Sequence, residues 1–240
     1  MSEIVTSKST ESVSFVLSLI TCMCLEIMSI EFSGTNNFTL PGDPSEIGLL
    51  RLQPVDFTPE INLYLCDTAH MLDYNWRYEC WAYAWVGGKA LARYILDNPE
   101  LVQGKTVVDI ASGSGIVAIA AKLAGAARVV AVDDYDMSIQ AINLNAEANG
   151  VEIETVQADA FQYKPDYGDL FLMGDPFYHD DLFPYMKDNF KPVLVGSPLR
   201  SNIFYYNFYV KNPIQTYVVE TPLAFDDKTV FDTHIWWLSE

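Results

Sequence analysis

Residues 107–115 read VVDIASGSG: a β-branched apolar run meets an aspartate, and two glycines spaced by one residue follow. The next stretch, GIVAIAAKLAG (residues 115–125), is rich in alanine and leucine and closes on a glycine, so it predicts a helix. Strand, glycine turn and helix in this order make a unit that binds a ligand at the turn. Glycine allows the backbone to bend sharply there and to come close to the ligand.

The pattern repeats downstream. RVVAVD (128–133), EIETVQAD (152–159), GDLFLMGD (168–175) and KPVLVGS (191–197) predict four more strands. Helical stretches separate them, among them DMSIQAINLNAEANG (136–150) and DDLFPYMKDNF (180–190). Such alternation is the signature of a parallel sheet with helices on both faces. IQTYVVET (214–221) and THIWWLS (233–239) leave no room for a crossover helix, so they predict an antiparallel hairpin. The fold expected is α/β: a Rossmann-like, doubly wound, seven-stranded sheet, mostly parallel with a C-terminal antiparallel hairpin. Upstream, GGKALARYILDNPE (87–100) predicts a helix that Pro99 ends, and SNIFYYNFYV (201–210) predicts another.

Bulk properties narrow the function. The chain has 240 residues, half of them hydrophobic, enough for one domain with a substantial core. Fourteen basic residues against 32 acidic ones give a formal charge of -18, which repels phosphate backbones and anionic lipid. Nucleic acid and membrane are therefore not expected partners; a basic protein or a cationic small molecule is. Cys22, Cys24, Cys66 and Cys80 form no CxxC pair, and His70, His179 and His234 form no cluster, so no metal site is expected. This cysteine usage suits a reducing, cytoplasmic location. Residues 12–28 are apolar but carry Glu26 and lack a basic flank, and no arginine precedes Arg51; neither a secretory signal nor a mitochondrial presequence is expected. Residues 1–45 are read as an extension and 46–240 as the functional domain.

Gly113-Ser-Gly115-Ile-Val-Ala118 satisfies the dinucleotide pattern GxGxxG/A, which suggests a nicotinamide or flavin enzyme. The neighbouring acids argue otherwise. Asp109, Asp133, Asp159 and Asp175 fall at or just past the carboxyl ends of the first four strands, where doubly wound sheets bind ligands. Carboxylates gathered there are ill suited to a pyrophosphate and well suited to a cation. S-adenosylmethionine offers a sulfonium, an ammonium, a ribose diol and an adenine amine to such a crevice. On this reading Asp109 faces the methionine ammonium, directly or through the loop and water. Ala111, Ser112, Gly113 and Gly115 form the loop, Asp133 with its neighbour Asp134 takes the ribose hydroxyls, and Asp159 accepts from the adenine amine.

VVDIASGSG, VVAVDD, VQAD and GDPFY in this order resemble a seven-β-strand S-adenosylmethionine-dependent methyltransferase. FTPEINLYLC, CWAYAWVGGKALARYILDNPE, LMGDPFYHDDL and PVLVGSPLR further resemble the electron transfer flavoprotein β-subunit lysine methyltransferase family and its bacterial nicotinamide N-methyltransferase-like relatives, over roughly Phe57 to Trp237. The resemblance implies that Trp85 and Gly87-Gly88 lie beside the methionine end of the cofactor. It also implies that Asp175, Phe177 and Tyr178, in the segment DPFY, form the catalytic signature next to the methyl group. It allows a mitochondrial location as well as a cytoplasmic one.

Three positions depart from the family pattern. The first loop glycine is Ala111, acceptable if its φ is negative. Val86 replaces a proline, and GSPLR (196–200) keeps Arg200 but loses an acid and a glycine. The function expected is methyl transfer to a lysine of a protein substrate with an accessible lysine. The alternatives are N-methylation of a small amine or heterocycle, a non-catalytic S-adenosylmethionine-binding protein and a nicotinamide oxidoreductase.

Overall fold

The strand that carries Asp109, β3 (Thr106–Ile110), is flanked by β4 (Arg128–Asp133) on one side and β6 (Leu170–Gly174) on the other, all three parallel. The computed structural model describes residues 50–66, 80–176, 181–198, 213–225 and 228–238, all within one compact unit, Leu40–Glu240. Beyond this trio lie β5 (Glu154–Gln157) next to β4, and β7 (Val193–Pro198) next to β6, again parallel. β9 (Lys228–Trp237) pairs antiparallel with β7, and β8 (Gln215–Phe225) closes the edge antiparallel to β9. The order β5-β4-β3-β6-β7-β9-β8 gives the expected seven strands and C-terminal hairpin. Strand order reverses between β3 and β6, which opens a crevice beyond their carboxyl ends.

Among the described residues, four α-helices cover the sheet: α1 (Val86–Asp97), α2 (Ile116–Leu123), α3 (Asp136–Ala148) and α4 (Leu182–Asn189). The sequence IVAIAAKL of α2 has six buried residues out of eight, so this helix lies inside the core. α1, α2, β3 and β4 contribute to one apolar layer with Leu91, Ile95, Ile119 and Val129; Phe183 and Met186 of α4 build the other face with Val108, Val130 and Val195. Removing this apolar area from water is the main favourable term in folding.

A hairpin precedes the sheet: β1 (Leu50–Val55) and β2 (Thr58–Cys66) pair antiparallel as a separate two-stranded sheet. Sequence reading assigned no strands here; the run LRLQPV contains a proline, and in the fold four of its six residues are exposed. Ile61 and Leu63 of β2 are fully buried in the layer formed by α1 and α2. The third predicted strand is shorter than expected, four residues rather than eight. The N-terminal extension and the helix predicted at 201–210 lie outside the described residues.

Candidate active site

Asp109 is 1% exposed, and its Oδ2 accepts hydrogen bonds from Ser112 Oγ at 2.5 Å and from Ala118 N at 3.2 Å. It thus binds the glycine loop to the strand below and to the first turn of α2. Its carboxylate is tied to the loop by Ser112 and to α2 by Ala118, the geometry of the second of the two expected routes to the methionine ammonium, through the loop rather than directly. Burial raises its pKa to about 7, helped by the Asp133 charge and opposed by the two hydrogen bonds.

The loop itself is tightly held. Ser112 N donates to Val132 O at 3.0 Å, and Gly115 N donates to Ser112 O at 2.9 Å. Gly115, at φ +83°, opens α2; a Cβ there would lie 3.3 Å from Ile142 Cγ1. Ala111 is a correction to the sequence reading: its φ is +54°, not negative. A left-handed alanine costs roughly 1–2 kcal/mol, which the hydrogen bonds on either side of the turn offset.

Asp133 ends β4 with both oxygens engaged: Oδ2 accepts from Gly113 N at 2.9 Å and Oδ1 from Tyr135 N at 3.1 Å. A carboxylate has about four lone-pair sites, so hydroxyl donors can still be accepted. Asp159, just past β5, accepts from Phe161 N and Gln162 Nε2. Between them stands Asp134, whose pKa is raised by burial and then by the charges of Asp133 and Asp159. The structure therefore brings Asp133, Asp134 and Asp159 together, and the charges of Asp133 and Asp159 add to burial in making ionisation of Asp134 harder. A cation in the crevice relieves that repulsion, and a diphosphate adds to it.

Trp85 approaches from the other side. Its Nε1 donates to Cys80 O at 2.9 Å, and the same carbonyl lies 3.9 Å from where a Cβ on Gly113 would stand. The 3-10 turn Cys80–Ala82 thereby joins Trp85 to the glycine loop. Immediately after Trp85, α1 packs against the sheet, its first turn closest to Gly174 and Gly196. A Cβ on Gly174 would lie 2.9 Å from Gly88 Cα, and a Cβ on Gly88 would lie 3.1 Å from Ile116 Cγ2. Only glycine at these positions lets helix and strands approach so closely.

Asp175, immediately after β6, uses this contact. Its Oδ2 accepts from Gly87 N at 2.5 Å and Gly88 N at 3.2 Å, so it satisfies two unpaired amides of the first turn of α1. Its own amide donates to Gly196 O at 2.8 Å, and its φ is +54°. An aspartate held in a left-handed conformation at a strand end is a costly arrangement typical of functional sites. Phe177, Tyr178 and Arg200 lie outside the described residues.

Sequence reasoning missed Asn145. It is fully buried on α3; Oδ1 accepts from Tyr64 N at 2.8 Å and Nδ2 donates to Ser114 O at 2.8 Å. One amide thus connects the β1–β2 hairpin to the glycine loop. One turn on, Asn149 exchanges hydrogen bonds with the backbone of Asn62. The i, i+4 asparagine pair was the available signal, since asparagines on the buried side of a helix need partners.

Residues 90–168 match the family model described as ribosomal protein L11 methyltransferase (PrmA). The electron transfer flavoprotein beta subunit lysine methyltransferase of Rattus norvegicus is 32% identical over 197 residues, 75% of this chain and 76% of the rat protein. The chain belongs to the electron transfer flavoprotein beta subunit lysine methyltransferase family. The Homo sapiens member is 40% identical over 129 residues, 50% of this chain; the match spans about half, 49%, of the human protein. Among solved structures, a sam-dependent methyltransferase from Streptococcus mutans aligns with a TM-score of 0.50 and 14% identity, over 73% of this chain and 52% of that one, a likeness of fold. The family places this chain among S-adenosylmethionine-dependent methyltransferases. The residues present fit that cofactor: clustered carboxylates for its positive charge and acceptors for its hydroxyls and amine.

Proposed function

We propose that this protein methylates a lysine side chain of a protein, and that the electron transfer flavoprotein beta subunit named for its relatives is the acceptor to test first. When bound, S-adenosylmethionine supplies a methyl group on a sulfonium; the N–C bond forms as the S–C bond breaks, and the electron pair stays on sulfur. The chain supplies position and a setting that tolerates positive charge. Asp133, Asp134 and Asp159 hold the cofactor's hydroxyls and amine, Gly113 and Gly115 let it approach, and Trp85 and Gly88 flank its methionine end.

The observation that carries this reading is the placement of Asp175. It lies at the end of β6, on the other side of the switch point from the acidic cluster, fixed by the first turn of α1. A lysine ammonium must lose a proton to solvent before it can attack, because its ordinary pKa is about 10.4 and the charged form has no lone pair. Asp175 draws in and orients the amine, while Phe177 and Tyr178 shape the channel for its methylene stem. The reaction runs in a reducing compartment, with the cytoplasm favoured by the cysteine pattern and the family's relatives as the reason to test mitochondria too. No helix among the described residues is long and apolar enough to cross a membrane.

The test is incubation with methyl-labelled cofactor and the beta subunit, followed by peptide mass spectrometry. The expected result is added methyl on one lysine or a few neighbouring ones. Label on free small amines and on no protein would overturn the assignment.

A further inference from the structure

Lys89 is among the largest fully buried side chains of the described residues, and it stands in the first turn of α1, where the helix dipole disfavours a cation. Its ammonium donates to both oxygens of Asp56, at 3.0 and 3.1 Å, and to Glu220 O at 2.6 Å. Two distorted hairpin ends bring these acceptors in. The β1–β2 register shifts between Pro54 and Val55, with Phe57 at φ +74°, and the β8–β9 register shifts between Glu220 and Phe225. Bulges of this kind re-aim groups next to active sites. The Phe57 ring also packs edge-on against Tyr217 at 5.4 Å.

The arrangement holds open a cavity of about 710 Å³, lined by Arg51, Gln53, Asp56, Tyr83, Lys89 and Thr229 among others. Two of its lining residues, Lys89 and Tyr83, neighbour residues of the candidate transfer centre. Lys89 follows Gly88, whose amide is bonded to Asp175, and the Tyr83 ring lies 6.2 Å from that of Trp85.

We propose that this cavity receives the polypeptide segment flanking the acceptor lysine, with the Lys89–Asp56 pair as the strut that sets its width. The proposal rests on the protein-lysine reading above. The lining carries Arg51 and Lys89 against Asp56 and Glu220, so its charges balance and it calls for a segment without a strong excess of either sign. Gln53, Thr221 and Thr229 offer neutral donors and acceptors of the kind a main chain needs. The volume lies within the range of ligand sites, about 300–1,000 Å³. At longer range the charge of -18 draws in a lysine-bearing segment.

The experiment places a bulky side chain on each wall of the full-length protein, Thr229→Trp on β9 and Gln53→Trp on β1, both at exposed positions. The acceptor is the electron transfer flavoprotein beta subunit, and S-adenosylhomocysteine binding is followed by calorimetry. For either variant the proposal expects KM for the protein acceptor to rise about tenfold or more, with S-adenosylhomocysteine affinity kept within about twofold. An unchanged KM in both variants overturns it while leaving the methyltransferase reading intact. Parallel loss of acceptor turnover and S-adenosylhomocysteine binding also overturns it, since the substitution then acts on the cofactor crevice. If the unaltered protein methylates no protein lysine, the functional reading itself fails, and the cavity assignment goes with it.

Discussion

Asp175 Oδ2 lies 2.5 Å from Gly87 N, so the carboxylate expected to meet the acceptor also anchors the helix that follows Trp85. Two roles for one side chain can be separated by substitution. Asp175→Asn keeps an oxygen for the amides but removes the charge; Asp175→Ala removes both. The alanine variant should lose about 0.5–2 kcal/mol of stability, the range for a lost helix cap, and the asparagine variant much less. Both should lose methyl transfer. Urea unfolding alongside a transfer assay checks this, and an active asparagine variant would remove the charge from the proposed chemistry.

Asn145→Ala should cost about 2–4 kcal/mol, because it leaves Tyr64 N and Ser114 O without their buried partner. Asn149→Ala disturbs the hairpin alone and leaves the loop's contact intact. Weaker S-adenosylhomocysteine binding is therefore expected for Asn145→Ala and near-normal binding for Asn149→Ala. Calorimetry on both variants distinguishes them.

The Asp109 carboxyl titrates near pH 7 when folded, against an ordinary value near 3.8. Between about pH 4 and 7 the folded protein holds a proton that the unfolded chain has released, so this group's contribution to stability falls as pH rises through that window and levels off above it. Asp109→Asn removes the slope. Denaturation midpoints of the two proteins, compared from pH 5 to 8, should converge at the acid end and diverge in favour of the variant towards neutrality. Parallel profiles would show that the carboxyl does not titrate there.

Gly174→Ala would place a methyl 2.9 Å from Gly88 Cα, against backbone that cannot move aside cheaply. Overpacking of this kind costs about 1–3 kcal/mol. The first turn of α1 should be displaced along with Trp85, so a lower thermal midpoint should come with weaker cofactor-product binding.

Much of this architecture was legible in local sequence. VVDI, RVVAVD and LFLMG declare themselves as strands because residues buried on both faces read as continuous apolar runs, and VGGKALARYILD declares a helix by its spacing. The acids at the strand ends were legible for the same reason: once strands are placed, their carboxyl ends are placed too. The β1–β2 hairpin was not, since LRLQPV has neither clean alternation nor apolar continuity, and its place depends on partners far along the chain.

Local pattern therefore determined which segments are strands and helices and where the acidic residues cluster, since periodicity and turn chemistry act between neighbours in sequence. Tertiary structure alone decided that Asp109 lies under the loop, that Ala111 is left-handed and that Asn145 joins loop to hairpin. It also brought Lys89 between Asp56 and Glu220, residues 33 and 131 positions away. A buried polar group is stable only where distant backbone and side chains supply its partners, and such partners are known only when the chain is packed.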